Sequence, residues 1–338
     1  MRICICGGGN IGHVMAGFLA AQESHEICLL TTRPEQWSDE IEVTDCQGQV
    51  FHGRPTLITS SPREAVSRAD VVMLCLPGFA IHEVLQDISP WLQPAAWVGT
   101  AVSSTGFFFE AMNILPPTQP LFGFQRVPFI SRITEYGRSA ELKGYKDNLS
   151  MAVEQTDDKE QVRMFWEKAL HVPVQLLGSY YEVSLSNSNP LLHPSRLYSL
   201  WKGWKPGDTY EREALFYEEW SDEASEHLIS MDNELQALLE RLPVTRGSIP
   251  PILDYYESHD AHSLTAKIRS IVAFKGIKAP MVKTGGGFVP DFANRYFTED
   301  IPYGMRFIVD TAHRYGQPIP MTQKIFDWGL ACIATLSR

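Results

Sequence analysis

A glycine-rich turn between a strand-like run and a helix-like run most constrains what this chain can fold into. The segment CICGGGNIGHVMAG contains Gly7, Gly9 and Gly12 in the order G-x-G-x-x-G. It follows RICIC, a short apolar run at residues 2–6, and opens IGHVMAGFLAAQ, which has helical spacing. A strand, a glycine turn and a helix in this order are typical of the first βαβ unit of a dinucleotide-binding fold.

Each of the three glycines would have its own role in such a turn. Gly7 would permit the tight turn, Gly9 would admit a pyrophosphate, and Gly12 would let the helix pack closely on the strand. Asn10 and Ile11 lie at the start of the helix, where free N–H groups and the helix dipole favour phosphate. We therefore predict that these five residues bind a dinucleotide, with a ligand-free glycine turn as the alternative.

The first half of the chain alternates strand-like and helix-like segments. Further apolar, strand-like runs lie at residues 25–32, 71–77, 95–101, 120–125, 148–154 and 172–177. Continuously apolar strands that alternate with helices indicate a mainly parallel sheet covered on both faces. We predict an α/β Rossmann domain over residues 1–178.

The pattern changes after that point, because the remaining segments have helical spacing. The run at 219–242 is long, and the run at 304–316 ends at a glycine that a proline follows closely. The glycine-rich segment KTGGGFVP at 283–290 follows no clear strand, so we expect a mobile loop there. We predict an all-α C-terminal domain over residues 179–338, with a cleft between the two domains.

Composition and charge exclude several classes of protein. Hydrophobic residues make up 44% of the 338 residues and charged residues 20%, so a folded protein is expected. The formal net charge of −11 argues against nucleic acid as a partner. No apolar run approaches the roughly 18 residues needed to cross a bilayer, and the N-terminus lacks the apolar run of a secretion signal. We therefore expect no membrane partner. The six cysteines lack the spacing of a zinc site, so we expect reduced thiols, no bound metal and a cytoplasmic location.

The end of the second strand distinguishes between the two nicotinamide dinucleotides. An acidic residue there would bind the adenosine ribose of NAD, but this chain has Thr31, Thr32 and Arg33. An arginine fork can pair with a 2′-phosphate, and the two hydroxyls can donate to it. We predict a preference for NADP(H). The alternative is that Arg33 is only a solvated surface charge that stacks on the adenine of either cofactor, in which case NAD(H) is also used. Leu76 and Pro77 end another strand at the edge where a dinucleotide normally lies.

Three segments resemble a known family. They are SNSNPLLHPSRLY (186–198), LFGFQRVP (121–128) and VPDFANRYFTEDIPYG (289–304). Together they are similar to the opine dehydrogenases, the octopine/nopaline dehydrogenase family, over nearly the whole chain. The resemblance implies a reductive condensation: an amino acid and a 2-oxo acid form an imine, and NAD(P)H reduces it to a secondary amine.

The resemblance also implies roles for particular residues. By it, His193 is the catalytic acid/base and Asp300 is its carboxylate partner. The substrate-binding motifs match at Arg295, Gln125, Asn187 and Asn189. The chemistry favours such residue types, since an imidazole can protonate a leaving oxygen and deprotonate an amine near neutral pH. Arginine is the natural bidentate partner of a substrate carboxylate, and Arg126 and Arg196 compete with Arg295 for that task.

Each of these residues also has a structural interpretation. His193 could be a hydrogen-bonded histidine at a helix start, and Asp300 could be an ordinary N-cap. Glu299 is a rival for the role of carboxylate partner. Arg295 could form a structural ion pair, and at least one of the two asparagines is expected to turn or cap the chain.

Two other functions are compatible with the same architecture. One is a plain 2-oxo acid reductase that resembles ketopantoate reductase, and the other is a protein that senses NADP(H) without turnover. The first family relies on a lysine in its second domain, and no lysine here lies in a recognisable motif. The sequence identifies neither the amino acid nor the 2-oxo acid, and a homodimer is compatible with it.

Overall fold

The computed structural model describes residues 1–22 and 24–337, which form two compact units. The first unit runs from Met1 to Ser186, and the second begins at Asn187. The division falls one short helix beyond the predicted domain boundary after residue 178. That helix, Tyr180–Leu185, packs on a strand of the first unit and therefore belongs to it.

The first unit follows the alternation of strands and helices that the sequence predicts. Its strands are β1 (Arg2–Cys6), β2 (Glu26–Leu30), β3 (Ile41–Asp45), β4 (Val50–Gly53), β5 (Leu57–Thr59), β6 (Val71–Leu74), β7 (Trp97–Thr100), β8 (Leu121–Phe124), β9 (Phe129–Glu135), β10 (Ser139–Tyr145), β11 (Leu149–Glu154) and β12 (Val174–Leu176). Its helices are α1 (Asn10–Ala20), α2 (Pro62–Val66), α3 (Gly78–Ile88), α4 (Phe107–Ile114), α5 (Lys159–Leu170) and α6 (Tyr180–Leu185).

Eight of these strands form one sheet in the order β12-β11-β8-β7-β6-β1-β2-β5. The pairs are parallel except for β8 with β11. Alternate residues of the central strand β1 serve opposite faces: Ile3 and Ile5 lie in one core, and Cys4 and Cys6 lie in the other. Helices α1 and α5 contribute to the first core, and α2, α3 and α4 contribute to the second. The predicted doubly covered, mainly parallel sheet is confirmed.

A second sheet in this unit was not expected from the sequence. Its order is β4-β3-β10-β9, with β3 parallel to β10. It packs against α1 at very close range, because a Cβ at Gly17 would lie 2.6 Å from Cγ2 of Val43. This packing brings β9 next to the glycine-rich turn, where the backbone N–H of Ile133 in β9 donates to Oδ1 of Asn10 at 2.8 Å.

The second unit is mainly helical, as predicted. Its helices are α7 (Asn189–Trp201), α8 (Asp222–Leu239), α9 (Ile252–Tyr255), α10 (Ala261–Ser270), α11 (Arg295–Thr298), α12 (Arg306–Arg314) and α13 (Pro320–Ala334). Its strands are β13 (Met281–Thr284) and β14 (Gly287–Pro290).

The segment KTGGGFVP is a β-hairpin, so the prediction of a loop at 283–290 was wrong. β13 pairs with β14 in antiparallel register, with Lys283 opposite Phe288 and Thr284 opposite Gly287. The turn needs glycine because Gly287 has a φ of +137°. Strand periodicity was hidden because one strand is short and exposed and the other begins inside the glycine run.

A π-helical turn, Asp300–Met305, lies between α11 and α12. The N–H of Gly304 donates to the carbonyl of Glu299 at 3.2 Å. A Cβ at Gly304 would lie 2.6 Å from Cγ of Pro190, so only glycine lets this turn approach the start of α7 so closely. Asp300 lies within the turn and does not cap α12, whose N-terminal neighbour is Met305. No helix within residues 1–22 and 24–337 is long and apolar enough to cross a membrane.

Candidate active site

A cavity of about 780 Å³ lies at the carboxyl ends of β1, β2 and β6. This edge is where open α/β sheets bind their ligands, and the volume falls in the usual range of roughly 300–1,000 Å³. Eight residues predicted to bind the dinucleotide line it: Gly7, Gly9, Asn10, Thr31, Thr32, Arg33, Leu76 and Pro77.

The glycines of the turn differ in what their missing side chains allow. Gly7 has a φ of +115°, and a Cβ there would lie 2.7 Å from the carbonyl oxygen of Cys75. A Cβ at Gly12 would overlap the carbonyl oxygen of Gly7, so this glycine serves helix–strand packing and does not line the cavity. A Cβ at Gly9 would meet no protein atom within 4 Å, which leaves the space above it open for a ligand. The turn therefore fits a pyrophosphate.

The start of α1 supplies the remaining groups for phosphate. Gly9 precedes the helix without a side-chain cap, so the first N–H groups of α1 are available to an anion. Ile11, also predicted to bind the cofactor, is half-buried and packs into the core of the sheet. Only its backbone is suited to the predicted contact.

His13 clamps the glycine-rich turn to the second sheet. Its Nδ1 lies 3.0 Å from the carbonyl oxygen of Gly9, and its Nε2 lies 2.8 Å from the backbone nitrogen of Gly137. A carbonyl can only accept and an N–H can only donate, so the ring is neutral with its proton on Nδ1. Burial lowers the pKa of His13, which agrees with that state. The rings of Trp37 and Tyr136 enclose it, at centroid distances of 4.0 and 5.0 Å.

Arg33 lies at the mouth of the same cavity. Its guanidinium carbon is 4.7 Å from the ring centroid of Tyr136, and both residues line the cavity. Thr32 is exposed, whereas Thr31 is buried beneath the turn. An exposed guanidinium held on an aromatic ring can meet a phosphate with little further ordering.

In the second unit, His193 lies in the first turns of α7, between Pro190 and Pro194. Its side chain is 4% exposed, and its Nδ1 lies 2.7 Å from Oδ2 of Asp300. The two residues are 107 positions apart, and the close approach of Gly304 to Pro190 brings them together. An ionised carboxylate can only accept, so Nδ1 carries a proton and the tautomer is fixed.

Aromatic side chains enclose the rest of the imidazole. Nε2 of His193 lies 2.9 Å from the hydroxyl oxygen of Tyr217, and the ring of Tyr296 stacks on the imidazole at a centroid distance of 4.0 Å. Phe216 approaches edge-on at 5.8 Å. With Nδ1 protonated, Nε2 accepts from the Tyr217 hydroxyl. The group is thus a buried acid/base with a carboxylate on one side and a phenol on the other.

Two family models match the chain. The one described as "NAD/NADP octopine/nopaline dehydrogenase, alpha-helical domain" matches residues 176–333. The one described as "NADP oxidoreductase coenzyme F420-dependent" matches residues 2–102.

Individual proteins match over nearly their full lengths. Octopine dehydrogenase from Pecten maximus is 31% identical, over 97% of this chain and 89% of its own. Tauropine dehydrogenase from Arabella iricolor is 29% identical, over 96% and 90%. A solved structure of octopine dehydrogenase with NADH and L-arginine has a TM-score of 0.87 at 29% identity, covering 99% of this chain and 90% of that one.

The chain belongs to the octopine/nopaline dehydrogenase family. It is an NAD(P)-dependent oxidoreductase of the opine dehydrogenase type, in which an amino acid and a 2-oxo acid are joined through a secondary amine. The family resemblance and the fold class expected from the sequence are both confirmed.

The three candidate arginines of this opine dehydrogenase have different surroundings. Arg196 is buried and donates to the carbonyls of Phe216 and Glu219, and burial lowers its pKa to about 10. Its donors therefore hold the chain near Tyr217. Arg295 is exposed and lies 5.7 Å from the ring centroid of its neighbour Tyr296, which stacks on His193.

Arg126 and Gln125 lie in the first unit, directly after β8. Arg126 is exposed and Gln125 is half-buried. The backbone N–H of Gln125 donates to the carbonyl of Ser150 at 2.8 Å, which continues the pairing of β8 with β11. Gln125 is therefore fixed by its backbone at the carboxyl end of β8.

The two predicted asparagines form part of the entry to α7. Oδ1 of Asn187 accepts from the backbone N–H of Asn189 at 3.1 Å, which is a local turn of the kind expected for at least one of them. Asn189 is the first residue of α7 and is half-buried. Glu299, the rival partner of His193, precedes the π-helical turn, and it is Asp300 that contacts the imidazole.

Sequence reasoning missed four residues that shape these sites: His13, Tyr136, Tyr217 and Tyr296. His13 directly follows Gly12 of the glycine motif, and Tyr296 directly follows Arg295, so both stood beside residues already chosen. Tyr136 and Tyr217 lie in segments without a motif, and only the fold brings them to the cavity and to His193. Within the described residues, no group of three or more His, Cys, Asp or Glu side chains could hold a metal ion.

Proposed function

We propose that this opine dehydrogenase uses His193 as its acid/base, with Asp300 as the carboxylate that fixes the tautomer of the imidazole and stabilises its charged form. We further propose that NADPH is the preferred reductant. The observation that supports the catalytic pair is the 2.7 Å contact between Nδ1 of His193 and Oδ2 of Asp300 in a buried site. A carboxylate on one imidazole nitrogen fixes the tautomer of the ring and stabilises the imidazolium that forms during the reaction.

The reaction needs such a group because protons must move in both directions. The ammonium of the amino acid must lose a proton before its nitrogen forms a bond to the carbonyl carbon. The carbonyl oxygen must then gain protons before the carbon–oxygen bond breaks and water leaves. When bound, the dinucleotide supplies the hydride that reduces the resulting carbon–nitrogen double bond. Counting all atoms, one proton is taken from solution and one water is released in each turnover.

The preference for NADPH rests on Arg33. Its guanidinium is exposed at the cavity and lies against the ring of Tyr136, which supports a bidentate contact with a 2′-phosphate. Thr32 adds a hydroxyl donor. One carboxylate, Asp87, also lines the cavity, and the octopine dehydrogenase structure contains NADH, so both cofactors belong in the assay.

We assign binding of the 2-oxo acid to Arg295, with the amides of Asn187 and Asn189 as hydrogen-bonding groups in the same unit. For Gln125, in the first unit, a contact with substrate rests on the family resemblance alone. Arg295 is exposed and lies on the same short helix as Tyr296, whose ring stacks on His193. Arg196 is a poor candidate, since its guanidinium already donates to two backbone carbonyls. A bidentate arginine–carboxylate pair would fix the orientation of the oxo acid.

The test is a matrix of amino acids against 2-oxo acids, with oxidation of NADPH or NADH followed by absorbance and each product identified by mass. The pair L-arginine and pyruvate is the starting point, because two octopine dehydrogenase structures contain them. We expect turnover only when both substrates are present, with higher kcat/KM for NADPH. Oxidation of NADPH by a 2-oxo acid alone would indicate an alcohol-forming reductase instead. Binding of the cofactor without turnover across the matrix would indicate a sensor.

A further inference from the structure

The supply of protons to His193 is restricted. Each condensation consumes one proton from solution, yet His193 is only 3% exposed. Its Nδ1 is held by Asp300, and its Nε2 is held by the hydroxyl of Tyr217. No other nitrogen remains on the ring, so a proton that reaches or leaves Nε2 must pass the Tyr217 hydroxyl or displace it.

Displacement of Tyr217 is opposed by its packing. Its ring stacks on Phe274 with a centroid distance of 4.1 Å and an interplanar angle of 18°. It lies nearly parallel to Trp220, at 6.2 Å, and meets Phe216 edge-on at 4.9 Å. The residue is 4% exposed. A tyrosine with rings on several sides keeps its hydroxyl in place, because rotation of the side chain would break all of these contacts.

The hydroxyl of Tyr217 is also suited to pass a proton on while the side chain itself stays neutral. Burial, and next the nearby hydroxyl of Tyr296, raise the pKa of Tyr217. A phenol that stays neutral cannot act as a base alone, but it can accept a proton on its oxygen while its own proton leaves. Tyr296 is only partly buried and its ring stacks on the imidazole, so solvent or a substrate reaches this side of the histidine more easily than the side of Tyr217.

We propose that Tyr217 is a proton-relay residue that transfers protons between Nε2 of His193 and the reacting atoms of the substrates. When the amine is deprotonated, the amine proton moves to the oxygen of Tyr217, and the Tyr217 proton moves to Nε2. When the carbonyl oxygen is protonated, the imidazolium proton returns to the tyrosine oxygen, and the phenolic proton moves to the substrate oxygen. In each step the tyrosine loses one O–H bond and gains another, while the imidazole and the substrate exchange one proton in total, so Tyr217 is neutral before and after. This inference rests on the proposed role of His193.

The test compares Tyr217→Phe, Tyr198→Phe, His193→Ala and the double variant His193→Ala/Tyr217→Phe. Tyr198 is the matched control, because it is a buried tyrosine of the same unit whose ring packs on His227 and Trp328. Each substitution of tyrosine by phenylalanine removes one oxygen atom. Thermal unfolding and NADPH titration on the same preparations show whether a variant is folded and binds the cofactor.

We expect Tyr217→Phe to reduce kcat by about 10²-fold, the lower end of general acid/base effects, with the NADPH Kd unchanged. Tyr198→Phe should keep the wild-type kcat. Because a relay acts only through the imidazole, the second substitution should cause no further loss in the His193→Ala background. Equal losses in both backgrounds would show a structural role and overturn the relay.

Other outcomes separate the relay from the function on which it rests. A wild-type or increased kcat in Tyr217→Phe, together with an inactive His193→Ala, would mean that the hydroxyl is not a relay, while the role of His193 would stand. A wild-type kcat in His193→Ala would remove the proposed acid/base itself. If Tyr217→Phe fails to fold, Tyr217→His and Tyr217→Leu are compared instead: the relay predicts a higher kcat for the histidine, which can carry a proton, and equal kcat values in the two variants would overturn it.

Discussion

Two buried histidines of this enzyme show how the same side chain serves different ends. His13 and His193 are 0% and 3% exposed, and in each both ring nitrogens have a partner. The partners of His13 are a backbone carbonyl and a backbone N–H, which cannot change their protonation. The partners of His193 are a carboxylate and a phenol. Only the second arrangement can stabilise an imidazolium and exchange protons, so the partners indicate which histidine is suited to catalysis.

Among the substitutions that test this difference between the two histidines, Asp300→Asn should have the largest effect, a loss of kcat. The asparagine amide can donate to Nδ1, which would leave the imidazole in the wrong tautomer and without a stabilising charge. We expect kcat to fall by about 10²–10⁴-fold, as for other losses of acid/base help, with the NADPH Kd unchanged. Steady-state kinetics and a cofactor titration measure both. Glu299→Gln is the matched control, and an equal loss of kcat there would mean that the carboxylate partner has been misassigned.

A smaller effect is expected at the cofactor end, from Arg33→Ala. Loss of a charged contact to a 2′-phosphate costs about 1.5–3 kcal/mol, which is roughly 10- to 150-fold in kcat/KM for NADPH. The value for NADH should hardly change. Arg306→Ala is a suitable control, because Arg306 is an exposed arginine whose guanidinium lies over Phe326. If Arg33→Ala lowers kcat/KM equally for NADPH and NADH, the arginine contacts a part of the molecule that both cofactors share.

The smallest expected effect is on the pH dependence of the free energy of unfolding, to which His13 contributes. Burial lowers the pKa of this ring in the folded state, so the unfolded chain binds more protons as the pH falls below about 6.5. The free energy of unfolding should therefore decrease on acidification, and the stability that neutral His13 provides is present above that pH. His13→Gln should make Tm less dependent on pH between 8 and 5.

The control for that measurement is His259→Gln, at a side chain that is 83% exposed. Burial also lowers the pKa of His25 and His227, so the His13 variant should reduce the slope without abolishing it. An unchanged slope would show that the clamp between the glycine turn and Gly137 does not depend on protonation.

The same contrast explains what could be predicted from the sequence. The glycine turn is local, so its spacing, the strand before it and the helix after it were readable within fifteen or so residues. The clamp is not local: His13 meets Gly137 across 124 positions, through a sheet whose strands were not predicted. His193 and Asp300 were chosen only through the family resemblance, since spacing alone cannot show a contact between residues 107 positions apart.

Tyr217 is the clearest case of a residue that sequence reasoning could not find. The segment LFYEEW gives no sign that one hydroxyl will lie on Nε2 of a distant histidine. The prediction of a loop at 283–290 was wrong for a different reason. Two short strands around three glycines have too few residues to show the two-residue alternation of apolar and polar side chains that marks a strand. In both cases the deciding contacts are tertiary.

The most direct test of the central claim is the kcat of His193→Ala at saturating NADPH, amino acid and 2-oxo acid, measured beside His13→Gln. We predict that His193→Ala loses about 10²–10⁴-fold in kcat while it binds NADPH as the wild type does. His13→Gln should weaken NADPH binding and keep most of kcat at saturation. A His193→Ala variant that turns over at the wild-type rate, or that loses NADPH binding together with turnover, would contradict the account.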